Sequence, residues 1–264
     1  MDLKIKGKVI IVTGGAKGIG AGIVRCLADE GAIPVIAGRS ADEGQRLMND
    51  IKEGGGEAHV IAAELSVVEN CRRVVEETLE KYQRIDGLIN NAGINDGVGL
   101  ESGNPEAFCA SLEKNLYHYY NMAHYCLPSL KESKGAILNI SSKTAVTGQG
   151  NTSGYASAKG AQLALTREWA VELLPYGIRV NAILPAEVMT PLYEKWLNTF
   201  PDPQKKIDSI TKNIPLGQRM TTKEEIASMA AYLVSEQALH ITGQQIYVDG
   251  GYVHLDRALA GVDE

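Results

Sequence analysis

Tyr155 and Lys159 carry the first chemical signal in this chain of 264 residues. On a helix, residues four places apart share one face. A phenol with an ordinary pKa of about 10 is a poor base near neutrality, and a nearby ammonium favours the phenolate. Lowering that pKa by ~2–3 units takes roughly 3–4 kcal/mol of differential interaction, within reach of a close, partly desolvated cation. Lys159 is therefore expected to depress the pKa of Tyr155. Such pairs are common on helix surfaces, so the reading needs a third group. Ser142 supplies it, following the apolar run Ala136–Ile140 just before the helix that carries Tyr155. Asn115 is a polar residue within an otherwise apolar helical stretch, placed to bind water or the lysine. A serine-hydrolase reading fails, because Asn151 and Thr152 stand where a nucleophile elbow before Ser153 would need its glycine and spacer.

A second signal lies near the start, in Thr13-Gly14-Gly15-Ala16-Lys17-Gly18-Ile19-Gly20. It follows a β-branched run and precedes a helical pattern. Glycines there let the backbone turn sharply and approach a pyrophosphate, and the helix start offers free N–H groups and a positive dipole end. An NAD-selective site usually has an acid at the end of the second strand. Here Gly38 occupies that place and Arg39 follows. A guanidinium suits a 2′-phosphate in charge and geometry, and Lys17 adds a second cation. NADP is the expected preference, with NAD possible. Glu64, after the third strand, is placed to meet the adenine edge.

The elements that position these residues are legible as alternation. Apolar runs at Val9–Val12, Ile33–Ala37, Ala58–Ala62, Gly87–Asn90, Ala136–Ile140, Ile178–Ile183 and Gln245–Val248 read as strands covered on both faces. Amphipathic stretches separate them, as at Val67, Cys71, Val74, Val75, Leu79 and Tyr82. Alternation of this kind predicts a single α/β domain over residues 1–264, a parallel sheet flanked by helices on both faces. The stretch 187–215 breaks the rhythm with Pro191, Pro201, Pro203 and Pro215. It is expected to be a mobile flap over the site. A formal net charge of −6 argues against general affinity for nucleic acid or anionic membranes. No apolar run is long enough to span a bilayer. The four cysteines form no C-x-x-C pair and read as reduced core thiols, which points to the cytoplasm. The five histidines form no ligand-spaced cluster, so no metal is expected.

With Thr13–Gly20, Asn90-Asn91-Ala92-Gly93, Asn115, Ser142, Tyr155 and Lys159 in this order and spacing, the chain resembles the short-chain dehydrogenase/reductase family over nearly its whole length. The resemblance implies a doubly wound Rossmann-type domain, a seven-stranded sheet and a homotetramer. It implies Tyr155 as acid/base, Ser142 polarising the substrate oxygen, Lys159 holding the nicotinamide ribose, and Asn115 supporting a relay water. It further implies that Gly14, Lys17, Gly18, Ile19, Gly20, Arg39, Glu64, Leu65, Asn91, Ala92, Gly93, Tyr155, Lys159, Pro185, Val188 and Thr190 line the cofactor. Two departures stand out. Pro185-Ala186-Glu187 replaces the usual Pro-Gly, and Glu64 replaces the usual Asp.

Within the family, the segments 95–101, 142–145, 148–155, 185–193 and 249–259 resemble the bacterial L-fucose dehydrogenases. That likeness implies oxidation of a free sugar at its anomeric carbon to the lactone. The polar residues expected around such a sugar are Asn95, Ser142, Lys143, Gln149, Asn151, Tyr155 and Glu187. Trp196, with Tyr193, would cover its apolar face, and His254 and Arg257 in the tail would close the site. The long helices near Asn104–Lys131 and Ser153–Leu174 are expected to pack between subunits through Leu163, Leu165 and Trp169. Two other readings stand beside this one: a 3-oxoacyl or other carbonyl reductase, and a dinucleotide-binding regulator without turnover.

Overall fold

Every residue of the first strand, β1 (Val9–Thr13), is buried, because helices cover both faces of the sheet it belongs to. The computed structural model describes residues 1–255. The order begins β1, α1 (Gly18–Asp29), β2 (Ile33–Gly38), α2 (Ala41–Glu53), β3 (His59–Ala62), α3 (Val68–Tyr82), β4 (Gly87–Asn90) and α4 (Pro105–Leu112). It continues with α5 (His118–Ser133), β5 (Ala136–Ile140), α6 (Ser153–Glu172), β6 (Arg179–Pro185), α7 (Pro191–Leu197), α8 (Pro203–Thr211), α9 (Lys223–Val234) and β7 (Gln245–Val248). The strands form one seven-stranded sheet in the order β3-β2-β1-β4-β5-β6-β7. All six pairings are parallel.

The alternation of side chains along β1 separates two cores. Ile10 and Val12 meet Ile23, Val24 and Leu27 of α1 and Ile226 of α9. Val9 and Ile11 meet Val74 of α3, Met122 of α5 and Trp169 of α6. Each fully buried Val, Leu or Ile contributes about 1.5–3 kcal/mol. The strand order reverses between β1 and β4, and the crevice at the carboxyl ends of those strands is where such sheets bind ligands.

The structure amends several expectations. The strand expected at Ala58 begins at His59, and the sixth runs on to Pro185, where it pairs with β7. The helix expected to run unbroken through Asn115 is split by a π turn at Glu113–Tyr117. Pro191 and Pro203 do not break structure; they start it. Thr190 and Asp202 cap α7 and α8 with their side chains, and each is followed by proline at the first helical position. Proline fits there because its missing N–H would lack a helical partner anyway. Cys71 and Cys126 are buried thiols, but Cys109 is exposed on α4. Leu163 and Trp169 are covered within the single chain, so they leave little surface for a neighbour. The exposed apolar side chains on and beside the two long helices are instead Tyr117, Tyr120, Val171 and Leu174. No helix among the described residues is long and apolar enough to cross a membrane.

Candidate active site

Tyr155 stands in the first turn of α6, and that turn lies close to α4 because residue 154 is glycine. A Cβ there would fall 2.6 Å from Ser111. The Ser141 hydroxyl donates to the Lys159 carbonyl at 2.9 Å, tying α6 to the end of β5. Ser142 follows and starts a 3-10 turn, Lys143–Ala145. Its Oγ accepts from the Thr144 N–H at 3.2 Å and the Thr144 hydroxyl at 3.1 Å, which leaves its own proton to donate. Burial pushes the Tyr155 phenol up to about 12, and a hydrogen bond with Ser142 acts against that rise.

Lys159 lies one turn further along α6, fully enclosed. Its Nζ donates to the Ile140 carbonyl at 2.7 Å, to Tyr119 Oη at 3.2 Å and to Gln162 Oε1 at 3.2 Å. It stands 5.5 Å from the centre of the Tyr155 ring. Burial pushes the ammonium down to about 7. The sequence suggested that Lys159 lowers the pKa of Tyr155. In this arrangement the three ammonium donors point at three other oxygens, and burial dominates both groups.

Asn115 sits in the π turn with no exposed surface. Such turns recur at functional sites. Its Oδ1 accepts from the Ile94 N–H at 2.7 Å, its Nδ2 donates to the Ser111 carbonyl at 2.9 Å, and its own carbonyl accepts from Gln162 Nε2 at 2.7 Å. Ser142, Tyr155, Lys159 and Asn115 are thus joined at the ends of β4 and β5. Tyr119 and Gln162 belong to the same constellation, although the sequence reading passed over both. A signal existed, because Tyr155, Lys159, Gln162 and Thr166 make a polar stripe at helical spacing on the face of α6 that should be apolar.

The glycine loop fits a dinucleotide phosphate. Gly14 and Gly18 adopt φ of +63° and +53°, values that favour glycine. A Cβ on Gly20 would fall 2.3 Å from the Gly14 carbonyl oxygen. The start of α1 has no side-chain cap and no acid in its first turn, so no side chain competes with an anion for its N–H groups. Asn91 holds the loop from the other side, donating through Nδ2 to the Thr13 and Gly14 carbonyls at 2.9 and 3.3 Å. Ala92 donates its N–H to Thr13 Oγ1, and Gly93 lies against Asn115. Thr190 packs on Gly18, which draws the end of β6 over the loop. Leu65 and Val188 are buried in the protein, so their side chains serve packing. Pro185 is buried at the end of β6, and Ile19 packs partly against the core. Lys17 is paired with Glu43 at 2.7 Å and Arg39 with Glu64 at 3.4 Å. Both pairs are exposed and hold weakly.

A second polar cluster adjoins Ser142. Lys143, buried, and Glu187, partly buried, form an ion pair. The Tyr193 hydroxyl donates to the other Glu187 oxygen at 2.6 Å. Lys143 Nζ also lies 3.9 Å from the centre of the Tyr252 ring. Burial and then the Glu187 carboxylate keep the Tyr193 phenol neutral. Tyr252 escaped the sequence reading. It is carried by the turn after β7, where the Asp249 carboxylate accepts from the N–H groups of Gly251 and Val253 at 2.8 and 2.9 Å. The other candidates are more peripheral. Asn95, Gln149 and Asn151 are exposed, and Asn95 turns its side chain to the Gly97 N–H. Trp196 is 43% exposed and packs edge-on to Tyr193 and Phe200. His254 lies against Tyr247, and Arg257 falls outside the described residues.

Known proteins match this architecture closely. A family described as enoyl-(acyl carrier protein) reductase matches residues 14–253. L-fucose dehydrogenase of Bos taurus is 36% identical over 252 residues, covering 95% of this chain and 91% of that protein. This relative is mammalian, not one of the bacterial enzymes named on sequence grounds. The crystal structure of Cj0485 dehydrogenase superposes with a TM-score of 0.93 at 51% identity, covering 98% of each chain. A 3-ketoacyl-(acyl-carrier-protein) reductase from Brucella melitensis, complexed with NADH, gives a TM-score of 0.84 at 33% identity, covering 95% of this chain and all of that one.

Proposed function

This chain belongs to the short-chain dehydrogenase/reductase family of oxidoreductases acting on CH–OH groups, and from that premise we propose that it oxidises an L-fucose-like aldopyranose at the anomeric carbon to the 1,5-lactone. The observation that carries the reading is the Lys143–Glu187 pair next to Ser142, flanked by Tyr193 and Tyr252. A sugar presents a ring of hydroxyls. Its site must match donors with acceptors, because an unmatched buried polar group costs about 1–3 kcal/mol. The pair offers an ammonium donor and a carboxylate acceptor together. A site for an aliphatic chain would not carry both.

The division of labour follows from the geometry. Ser142 holds the anomeric oxygen through its free proton. Tyr155, acting as the phenolate, takes the hydroxyl proton as the C1–H bond breaks and the lactone C=O forms. Lys159 and Asn115 hold the tyrosine's surroundings fixed. Tyr193 and Trp196 cover the apolar face of the sugar, and α7 and α8 act as the flap. NAD(P), when bound, would supply the nicotinamide carbon that takes the hydride and its electron pair. Gly14, Gly18, Gly20 and the first turn of α1 hold its phosphates. NADP is preferred over NAD, since no acid stands at Gly38 and Arg39 and Lys17 leave their exposed pairs with Glu64 and Glu43 for a phosphate. The enzyme works in the cytoplasm as a homotetramer.

A spectrophotometric screen tests the whole reading. L-fucose, L-galactose, D-arabinose and a 3-oxoacyl thioester are offered with each cofactor, and the reduced nicotinamide band is followed. Reduction of NADP by the sugars is expected. It should exceed reduction of NAD by about ten-fold or more, as one charge-assisted phosphate contact implies, and Arg39→Ala should narrow the gap. Tyr155→Phe should lower turnover by about 10²–10⁴-fold with cofactor binding retained. Silence on every sugar with brisk reduction of the thioester makes the chain an oxoacyl reductase, the second reading, which similarity to the Brucella melitensis enzyme favours. Silence on all of them overturns the sugar reading and leaves another carbonyl substrate or the regulator.

A further inference from the structure

Lys159 is a buried ammonium without a carboxylate among its hydrogen-bond partners, and that makes its three neutral acceptors decisive. An ammonium has three donors, and here each has one oxygen. Two of those oxygens are anchored together, because Tyr119 Oη donates to the same Ile140 carbonyl at 3.0 Å. The third belongs to Gln162, a side chain fully buried one turn beyond Lys159 on α6. The far end of that carboxamide meets the Asn115 carbonyl at 2.7 Å. A carbonyl only accepts, so Nε2 must face Asn115, and Oε1 must then face Lys159. The orientation of the amide is dictated from both ends.

We propose that Gln162 is a positioning residue for the acid–base step, its carboxamide spanning Lys159 and the main chain of the π turn so that the ammonium is held in register with Tyr155. The bridge joins two helices that reach the site from different directions. Asn115 is itself locked, through Ile94 and Ser111, to the loop after β4 and to α4. Displacement of Gln162 therefore cuts the lysine's tie to the π turn, leaving only the Ile140 carbonyl and Tyr119 to hold it. It also removes one of three acceptors from a buried cation, which makes the protonated lysine harder to hold and weakens its support of a Tyr155 phenolate. The other titratable group of this region, His118 on α5, is pushed down to about 4 by burial and stays neutral through the working range. Tyr119 is fully buried, and burial keeps its phenol neutral. Tyr155 and Lys159 are left as the pair whose ionisation the bridge influences.

The inference rests on the proposed hydride transfer and not on the identity of the sugar. Its test is the pH dependence of kcat and kcat/KM for Gln162→Met and Gln162→Glu, with thermal melting and fluorescence titration of NADPH as checks of folding. Methionine keeps the length and bulk and loses the amide. It should lower kcat by about ten-fold, the effect of losing one hydrogen bond to a charged group. The limb that reports Tyr155 should move to higher pH, while KM stays within about three-fold. Glutamate keeps an acceptor for the ammonium but loses the Nε2 donor to the Asn115 carbonyl, so it should also lower kcat while moving the limb less than methionine does. A limb that superimposes on the wild-type one in a folded variant overturns the proposal, even if the melting temperature falls, since a packing role alone would do that. The assay uses L-fucose in oxidation. If L-fucose is not turned over, the sugar reading fails by itself, and the same profiles are taken with a 3-oxoacyl thioester in reduction, where the limb should move in the same direction.

Discussion

Tyr155 and Lys159 illustrate how much a single buried residue can cost the fold that houses it. Burial raises the phenol and lowers the ammonium, to about 12 and about 7, so each is disfavoured in its charged form. For Lys159 the sign of the linkage is definite. Between pH 7 and the ordinary lysine range the unfolded chain binds a proton that the folded chain does not, so stability rises with pH across that window. Below pH 7 both states bind the proton, so the slope vanishes and the full cost of burying the cation is present. Lys159→Met abolishes the dependence. Its melting temperature relative to wild type should be more favourable at pH 6 than at pH 9, each 1 kcal/mol reading as about 2–4 °C, and turnover should collapse. Thermal melting at the two pH values checks it. Parallel pH dependence of the two proteins would mean that Lys159 is not buried as a cation. Retention of such a lysine despite its cost fits a residue kept for chemistry.

Among the elements, the β1–α1 junction tolerates least. Gly20→Ala would drive a Cβ to 2.3 Å from the Gly14 carbonyl oxygen and 2.6 Å from Asn91 Nδ2, both held by β1 and β4. Neither can retreat without opening the loop. The expected outcome is a loss of at least about ten-fold in NADPH affinity by fluorescence titration; unchanged affinity would remove the loop from the cofactor site. The junction was legible in the sequence because glycine is read directly as backbone freedom. The five inner strands were legible too, since burial on both faces makes them continuous apolar runs, whereas the edge strands β3 and β7, expected to be covered alike, are only partly buried. The π turn at Glu113–Tyr117 was not legible. It arises from a ladder shift that leaves the side-chain pattern almost intact, so Asn115 looked like one polar residue in one long helix. Tyr119 and Tyr252 were missed for a related reason, since each meets a partner far away in the chain and spacing along one element cannot show that; Gln162 showed only as one member of the polar stripe on α6. The pairings of Lys17 and Arg39 with Glu43 and Glu64 were hidden in the same way.

At the scale of the whole molecule, a set of apolar side chains on and beside the long helices α5 and α6 remains exposed after folding. Tyr120 is 55% exposed on α5 and Val171 69% exposed on α6, with Tyr117 and Leu174 close by in sequence. Tyr120 stacks on His124 and leans towards Trp169, so its ring is held in place. If the proposed tetramer uses these side chains, light scattering at micromolar concentration should give four times the chain mass, and Tyr120→Glu with Val171→Asp should reduce that mass. A wild-type monomer would refute the assembly. The order of strands across the sheet also has a consequence in time. The phosphate cradle is built from β1, α1 and β4, all present once Ala92 has been added. The Lys143 cluster is finished only by Tyr252, on the turn that follows β7. On a ribosome adding about 5–20 residues per second, roughly 160 residues and about 8–30 s separate the two. A nascent chain therefore carries the complete sequence of one half of its cleft long before the last aromatic ring of the other half has been made.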